Sequence, residues 1–467
     1  MNRAIFRIAM LVLLASFIIN IKAQDSGGHF YFAGPIGSFL AQGAKIAPVT
    51  SGLPFTIRLS SAGATIEPQS FDLSGKGWDG PAKLSFTSLK YAGGQLTGSA
   101  QIQNKTGSVI EGLRLDIVGA NEEYKGKDAA GKETVNTRPQ TVSMSSPILL
   151  GDLAKDDQSA AVPIVVQGLS FKPETTNVTV KGVISGLYYV GGIDVNDAQI
   201  ASMDIDNAGR IYIGDVVGMQ VTRLDADGTH PVVVAKLPDQ VNGAAVDPKT
   251  NEVYATAINN EDLFHFAPNG DKLPNITRQA AGNEAAFDKV RFGKNGGLYF
   301  AASPIWRLRN GKADPPISQA GGDDLYTKLF DVDKAGNYWI AAGLEQDRSV
   351  YFVDAGGKQS RRVAKGPDWH LGGASVPQSC RIDADGNVYV AELGIPDSEE
   401  ARISVFDKEG RFIRVFGRGG KTRAQNIMPG QVFRPKDIAF GPDGRVYIGH
   451  EVAADSHSHL ILIFQPF

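Results

Sequence analysis

ISVFDKEGRFIRVFGRGG, residues 403–420, and FRPKDIAFGPDGRVYIGHE, residues 433–451, decide how this chain is read. Apolar residues alternate up to Phe406, D-K-E-G reverses the chain, and a second apolar run closes at F-G-R-G-G. After a Pro-containing link, R-P-K-D-I-A leads to a P-D-G reversal and the run V-Y-I. Short alternating runs separated by Asp, Asn and Gly mark strands joined by tight hairpins, because those residues tolerate the positive φ that such turns demand.

The same device recurs upstream. Six times from Leu187 onward a Gly or Asn is followed three residues later by an aromatic: Gly209/Tyr212, Asn251/Tyr254, Gly296/Tyr299, Gly336/Trp339, Gly386/Tyr389 and Gly444/Tyr447. The aromatics lie 42, 45, 40, 50 and 58 positions apart by difference of those numbers. That period matches one propeller blade per repeat. A second turn follows the third strand of the first five units, at Gly228, Gly270, Gly311, Gly356 and Gly410. Each unit therefore reads as strand a, turn, aromatic strand b, loop, strand c, turn, strand d. The stretch at 403–451 resembles the NHL repeat family, and that resemblance implies a six-bladed β-propeller over residues 182–467. The sixth unit stops after its third strand, HLILIF, and an unpaired strand edge invites aggregation. The segment GVISGLYYVGG, residues 182–192, precedes the first unit and is expected to close the ring by pairing there.

The rest of the chain divides by composition. Arg3 and Arg7, an apolar run over 8–21 and the small residue Ala23 have the layout of a secretory signal peptide, residues 1–23, cleaved near Ala23. The mature protein is then expected in the periplasm or outside the cell, with no membrane span after cleavage. Residues 24–75 read as irregular or edge-strand structure. Residues 76–181 alternate around an N-K-T-G turn at 104–107 and resemble bacterial immunoglobulin-like or fibronectin-like sandwiches. The fold class expected is all-β: a β-sandwich followed by a six-bladed β-propeller closed by a strand preceding the first blade.

Charge and cysteine content narrow the function. The 47 basic and 50 acidic residues leave a formal net charge of -3, which gives no electrostatic reason to expect a nucleic acid partner. One cysteine, Cys380, excludes an intramolecular disulfide and any c-type haem.

Candidate chemistry lies in two places. Aligning the units on Ile205, Val246, Phe292, Val332, Ile382 and Phe440 puts Met203, Ala244, Val290, Phe330, Cys380 and Ile438 between blades. The opposite parity, Asp204, Ala245, Arg291, Asp331, Arg381 and Ala439, is expected to face the channel. The four charged members either neutralise one another in a wet tunnel or form a clamp for an anionic or carbonyl-bearing ligand. The b-to-c loops and d-to-a links share one rim, which collects Asp215, Asn242, Asn259, Glu261, Asp262, Asp323, Asp324, Glu345, Asp347, Glu392, His450 and Glu451. Such oxygen ligands suit Ca2+. V-N-G-A-A-V-D-P, residues 241–248, is similar to a segment of the gluconolactonase-like calcium hydrolases, and that resemblance implies Asn242 as a ligand, although their E-G-P-x-W motif is missing here. His450, His457 and His459 share one loop, with His370 in an earlier link; this is a pattern for Zn2+ or copper, and a propeller lyase of peptide amidation holds zinc through histidines.

No serine nucleophile elbow, phosphate loop or metalloprotease helix motif is present in the sequence. Two functions stay open. The first, favoured by the residue types, is a binding module for a protein, peptide or glycan. The second is a metal-dependent hydrolase or lyase, gluconolactonase-like or amidating-lyase-like, acting at the channel mouth.

Overall fold

The computed structural model describes residues 47, 49, 52–60, 71–72, 82–105, 107–144, 148–159, 161–195, 198–281, 287–301, 305–314, 329–341, 349–357, 360–364, 376–393, 401–417, 419, 430–451 and 460–467. The expected signal peptide lies outside the described residues. Two compact units form, Val49–Tyr188 with Phe467, and Tyr189–Pro466 with Ala47.

The first unit is a β-sandwich. Its strands are β1 (Leu53–Ser60), β2 (Phe71–Asp72), β3 (Ala82–Ala92), β4 (Gln95–Asn104), β5 (Ile110–Lys127), β6 (Glu133–Gln140), β7 (Ser143–Met144), β8 (Ile148–Leu153), β9 (Val162–Gln167) and residues 175–188 of β10 (Thr175–Ile193). One sheet runs β2-β3-β4-β9-β7; in the other, β10 lies between β1 and β5, and β5 also pairs with β6 and β8. Alternation along each strand turns one face inward, so Phe55, Leu84, Ile102, Leu115, Ile164 and Val180 share one core. Asn104, at the expected turn, donates its side-chain amide to the carbonyls of Ser108 (2.6 Å), Ala154 (2.9 Å) and Leu153 (3.3 Å).

Two of the acids buried in this sandwich, Asp116 and Glu122, each meet an arginine. Asp116 takes Nε and Nη2 of Arg114, both at 2.7 Å. Glu122 accepts from Arg138 at 2.7 and 2.8 Å and from the hydroxyl of Thr175. The bond from Arg138 outweighs burial and holds the Glu122 carboxyl at about 2.

The second unit is a β-propeller whose described residues form six sheets. The first sheet holds β11 (Ile200–Ile205), β12 (Ile211–Asp215), β13 (Gln220–Leu224) and β14 (Val232–Lys236); the second, β15 (Val241–Val246), β16 (Val253–Ala257) and β17 (Phe264–Phe266). The third holds β18 (Val290–Phe292), β19 (Leu298–Ala301), β20 (Ile305–Arg309) and β21 (Lys312–Ala313). The fourth holds β22 (Phe330–Val332), β23 (Tyr338–Ala341), β24 (Val350–Val353) and β25 (Ser360–Ala364). The fifth holds β26 (Pro377–Ile382), β27 (Val388–Glu392), β28 (Arg402–Phe406) and β29 (Phe412–Phe416). In the sixth, β30 (Pro435–Phe440), β31 (Val446–His450) and β32 (Ile461–Pro466) are completed by residues 189–193 of β10, beside β32. The Tyr189 and Phe464 rings meet edge-on at 5.8 Å, so the segment ahead of the first sheet closes the last, as expected. In the second sheet the fourth strand is reduced to bridges, Leu263 with Ile276 and Phe266 with Lys272.

The first strands adjoin around an axis. β11 neighbours β15 and β30, β15 neighbours β18, and β26 neighbours β22 and β30; the Lys294 N–H donates to the Val332 carbonyl at 2.7 Å and ties the third sheet to the fourth. All six repeated aromatics sit on second strands. Four of them show what the repeat accomplishes. Tyr212 packs on Val241 and Ala244 of the second sheet, while Tyr254 meets Phe292, Tyr299 meets Tyr338 and Tyr389 meets Phe440, each on the sheet that follows. The ring sheets are therefore held by a series of separate cores.

The turns follow the side chains expected of them. Gly209 sits at φ 81°, and the second unit puts Asn251 at φ 59° in the equivalent place, since Asn is among the few residues that accept it. In the fourth sheet's second turn the positive φ falls on Gly357, one residue beyond the expected Gly356, because the Gly357 N–H reaches back to the Asp354 carbonyl at 2.8 Å.

Candidate functional site

Charged residues near the propeller axis form a bonded set. Asp437 on β30 is its centre: Arg291 on β18 places Nη2 2.7 and 2.8 Å from the two carboxylate oxygens, and the Ser379 hydroxyl on β26 donates at 2.7 Å. Its own chain supplies the Ile438 N–H at 2.9 Å, and the first sheet supplies the Met203 N–H at 2.8 Å. Burial alone would raise this carboxyl, but Arg291, Arg381 and Ser379 outweigh it and hold it below the usual range.

The other two acids repeat the pattern. Asp204 accepts the Val246 N–H of the second sheet at 3.0 Å and takes Arg381 at 3.1 Å; Asp331 accepts the Ile382 N–H of the fifth sheet at 2.9 Å. In all three cases a carboxylate on one first strand caps a backbone donor on the next sheet's first strand. A donor left unpaired there would cost the desolvation of a buried amide. Lys289 adds a further tie, its ammonium reaching the Ala201 carbonyl at 3.2 Å and the Asn242 carbonyl.

This geometry corrects the expected division of faces. Ala245 and Ala439, assigned to the channel, pack into clusters between sheets, Ala245 with Val290 and Phe300, and Ala439 with Met203. Propeller sheets stand face to face around the axis, so both faces of a first strand look at neighbouring sheets. Arg291 and Arg381 span between first strands, at 9% and 8% side-chain exposure, and each ends on a carboxylate from a non-adjacent sheet. Asp437 and Ser379, both in this set, were missed from the sequence; they lie two residues before Ala439 and Arg381 on the same strand face, one layer deeper. Cys380 is buried as expected, and burial, with Asp331 beside it, raises its thiol.

The rim residues are likewise placed. Asp215 caps its own loop, taking the N–H groups of Gln199 (2.9 Å) and Val217 (3.0 Å). The Asn242 amide donates to the Asp288 carboxylate of the third sheet. Glu392 is fully buried against Arg402, with Nη2 at 3.0 Å. His450 is also fully buried, and its Nδ1 accepts the Phe433 N–H at 3.0 Å, which fixes the proton of a neutral ring on Nε2. Glu451 meets Lys436 at 2.7 Å and Arg434 at 2.9 Å; burial opposes the charge, but these cations hold the carboxyl low. His370, His457, His459, Asp323, Asp324, Glu345 and Asp347 lie outside the described residues. Among the described residues no group of three or more His, Cys, Asp and Glu is placed to hold a metal ion.

No protein-family model matches the chain, and no curated protein matches it in sequence. Solved structures do match. A protein of unknown function from Bacteroides thetaiotaomicron aligns over 82% of this chain and 98% of its own, at 13% identity and a TM-score of 0.44. A gluconolactonase from Xanthomonas campestris aligns over 60% of this chain and 89% of its own, at 14% identity and a TM-score of 0.42. A calcium-binding protein, regucalcin, from Agrobacterium tumefaciens aligns over 59% and 93%, at 13% identity and a TM-score of 0.43. At these TM-scores the likeness carries no conclusion about this chain.

Exposed apolar side chains mark one part of the rim. Val217 is 61% exposed, Met219 42% and Ile258 39%. All three lie in or beside the turns between second and third strands of the first two sheets. Val216 and Ile258 are held alike, their N–H groups donating to the Gln199 and Gln240 carbonyls at 2.8 Å each.

Proposed function

We propose that this chain is an exported NHL-type propeller acting as a binding module, its rim recognising a protein, peptide or glycan and its sandwich, read as immunoglobulin-like, serving as spacer or second contact surface. One observation carries the reading: the rim offers exposed Val217, Met219 and Ile258, whereas the charged residues of the channel and of the b-strand ends are committed to the fold. Exposed apolar side chains gathered on one rim are a common mark of an interaction surface. Buried charges joined to backbone donors on neighbouring sheets act as structural ties, as the mutual-neutralisation reading of the channel requires.

The reading is tested with the full chain against peptide and glycan libraries, beside a variant carrying Val217→Asp, Met219→Asp and Ile258→Asp. Loss of binding by the variant, with an unchanged unfolding midpoint, supports it. A ligand held equally by both proteins overturns the rim assignment.

A further inference from the structure

The outward face of the sandwich sheet carries a groove of about 400 Å³. Alternation places polar residues there: Ile57 and Leu59 on β1 and Val178 and Val180 on β10 point into the core, so Thr56, Arg58, Thr179 and Lys181 point out. Register then aligns them, with Thr56 opposite Lys181, and Arg58, Thr179 and Asn121 in one row across three strands. Gly119 lies opposite Lys181 on β5, and a side chain there would meet nothing, so the space beside Lys181 is open.

Charge in the groove is unbalanced. Glu123 is matched within the sheet, one oxygen 3.3 Å from Arg58 and the other taking the Asn177 amide at 2.9 Å. Lys181 instead reaches a neutral group, the Asn121 side-chain oxygen at 3.0 Å in the amide orientation that satisfies both its neighbours. Two cations against one carboxylate leave a single positive charge, set among hydroxyls and amides.

We propose that this groove binds an acidic glycan, with the carboxylate of a uronic-acid residue on Lys181 and sugar hydroxyls on Thr179, Thr56 and Asn121. The inference rests on the binding-module reading and names a ligand class for its second surface. The groove volume lies within the roughly 300–1,000 Å³ of small-ligand sites. An extended peptide added as a strand would pair at the outer edge of β1 and not over the groove, whose lining residues are all of polar type. A polyol bearing one carboxylate matches both the hydroxyl rows and the surplus cation.

Calorimetric titration of the full chain with tetragalacturonate, its methyl ester and a tetraglutamate peptide tests the proposal. The acid is expected to bind at least tenfold more tightly than the ester. Lys181→Gln should abolish that difference, Thr179→Val should weaken both sugars, and the triple rim variant should bind as the unaltered chain does; Lys181 is exposed, so a thermal melt serves as the folding control. No binding, equal binding of acid and ester, indifference to Lys181→Gln, or equal binding of the peptide would each overturn it. Sugar binding lost in the rim variant but kept in Lys181→Gln sinks the groove while leaving the rim reading intact.

Discussion

The sandwich and the propeller both bury arginine–carboxylate pairs, yet they use them over different distances. In the sandwich the partners are close in sequence: Arg114 and Asp116 sit two residues apart on one strand, and Glu122 pairs with Arg138 on the adjoining strand. In the propeller, Arg291 and Asp437 are separated by 146 residues, and Asp437 also caps a donor 234 residues away. A sandwich is specified by one continuous core, so its charges reinforce a ladder that already exists. A ring of sheets has its core cut into segments, and the axial carboxylates state which sheet follows which.

The largest effect should therefore come from the axis. Asp437→Ala strands the Arg291 guanidinium, the Ser379 hydroxyl and the Met203 N–H together, and removal of one partner of a buried pair costs about 3–5 kcal/mol. Hydrogen exchange resolved by segment should show the loss in residues 200–466 and not in β1–β9; an equal loss in both would erase the contrast. The double change Asp437→Leu with Arg291→Met should recover much of it.

A smaller effect should separate the units by pH. The Glu122 carboxyl ionises at about 2 in the folded chain against 4.5 when free, so its contribution is complete above 4.5 and is lost as pH falls toward 2. Acid should therefore cost the sandwich on the order of 2 kcal/mol through this group, and Glu122→Gln should remove that part of the pH dependence. The measurement is the urea midpoint between pH 6 and pH 3.

Next in size are the turns. Gly209→Ala forces a side chain into φ 81° and should cost about 1 kcal/mol, whereas Asn251→Gly at φ 59° should be close to neutral. Equal costs would mean that the two turns are not equivalent. Finally, Cys380 is buried with its thiol pushed up, so maleimide labelling of the native chain should be slow and should speed up in Asp437→Ala. That rate reports opening of the ring without altering it.

Much of the propeller was legible because its evidence is local. A turn residue three positions ahead of an aromatic is fixed by hairpin geometry, and the aromatics proved to be second-strand residues, four of which bridge to the following sheet. The axial site was less legible. Sequence alternation separates two strand faces but does not say what each face meets, so Ala245 and Ala439 were assigned to a channel that their sheets do not expose. Asp437 lies in the quoted R-P-K-D-I-A stretch, two residues before Ala439 on the same strand face. The partner of each arginine depended on which sheets stand across the axis, and that is a property of ring closure. The sandwich groove was invisible for a related reason, since Gly119, Lys181 and Thr56 become neighbours only through register.

Completion of the sixth sheet by residues 189–193 of β10 also sets a timetable. Those residues leave the ribosome some 270 positions before β32, and at about 5–20 residues per second the wait lasts on the order of tens of seconds. Throughout it, the early segment must stay out of wrong pairings, and the ring can be sealed only once β32 has been made. Such a chain gains from a holding chaperone, and from any delay that keeps its first-made strand unoccupied until its mate arrives.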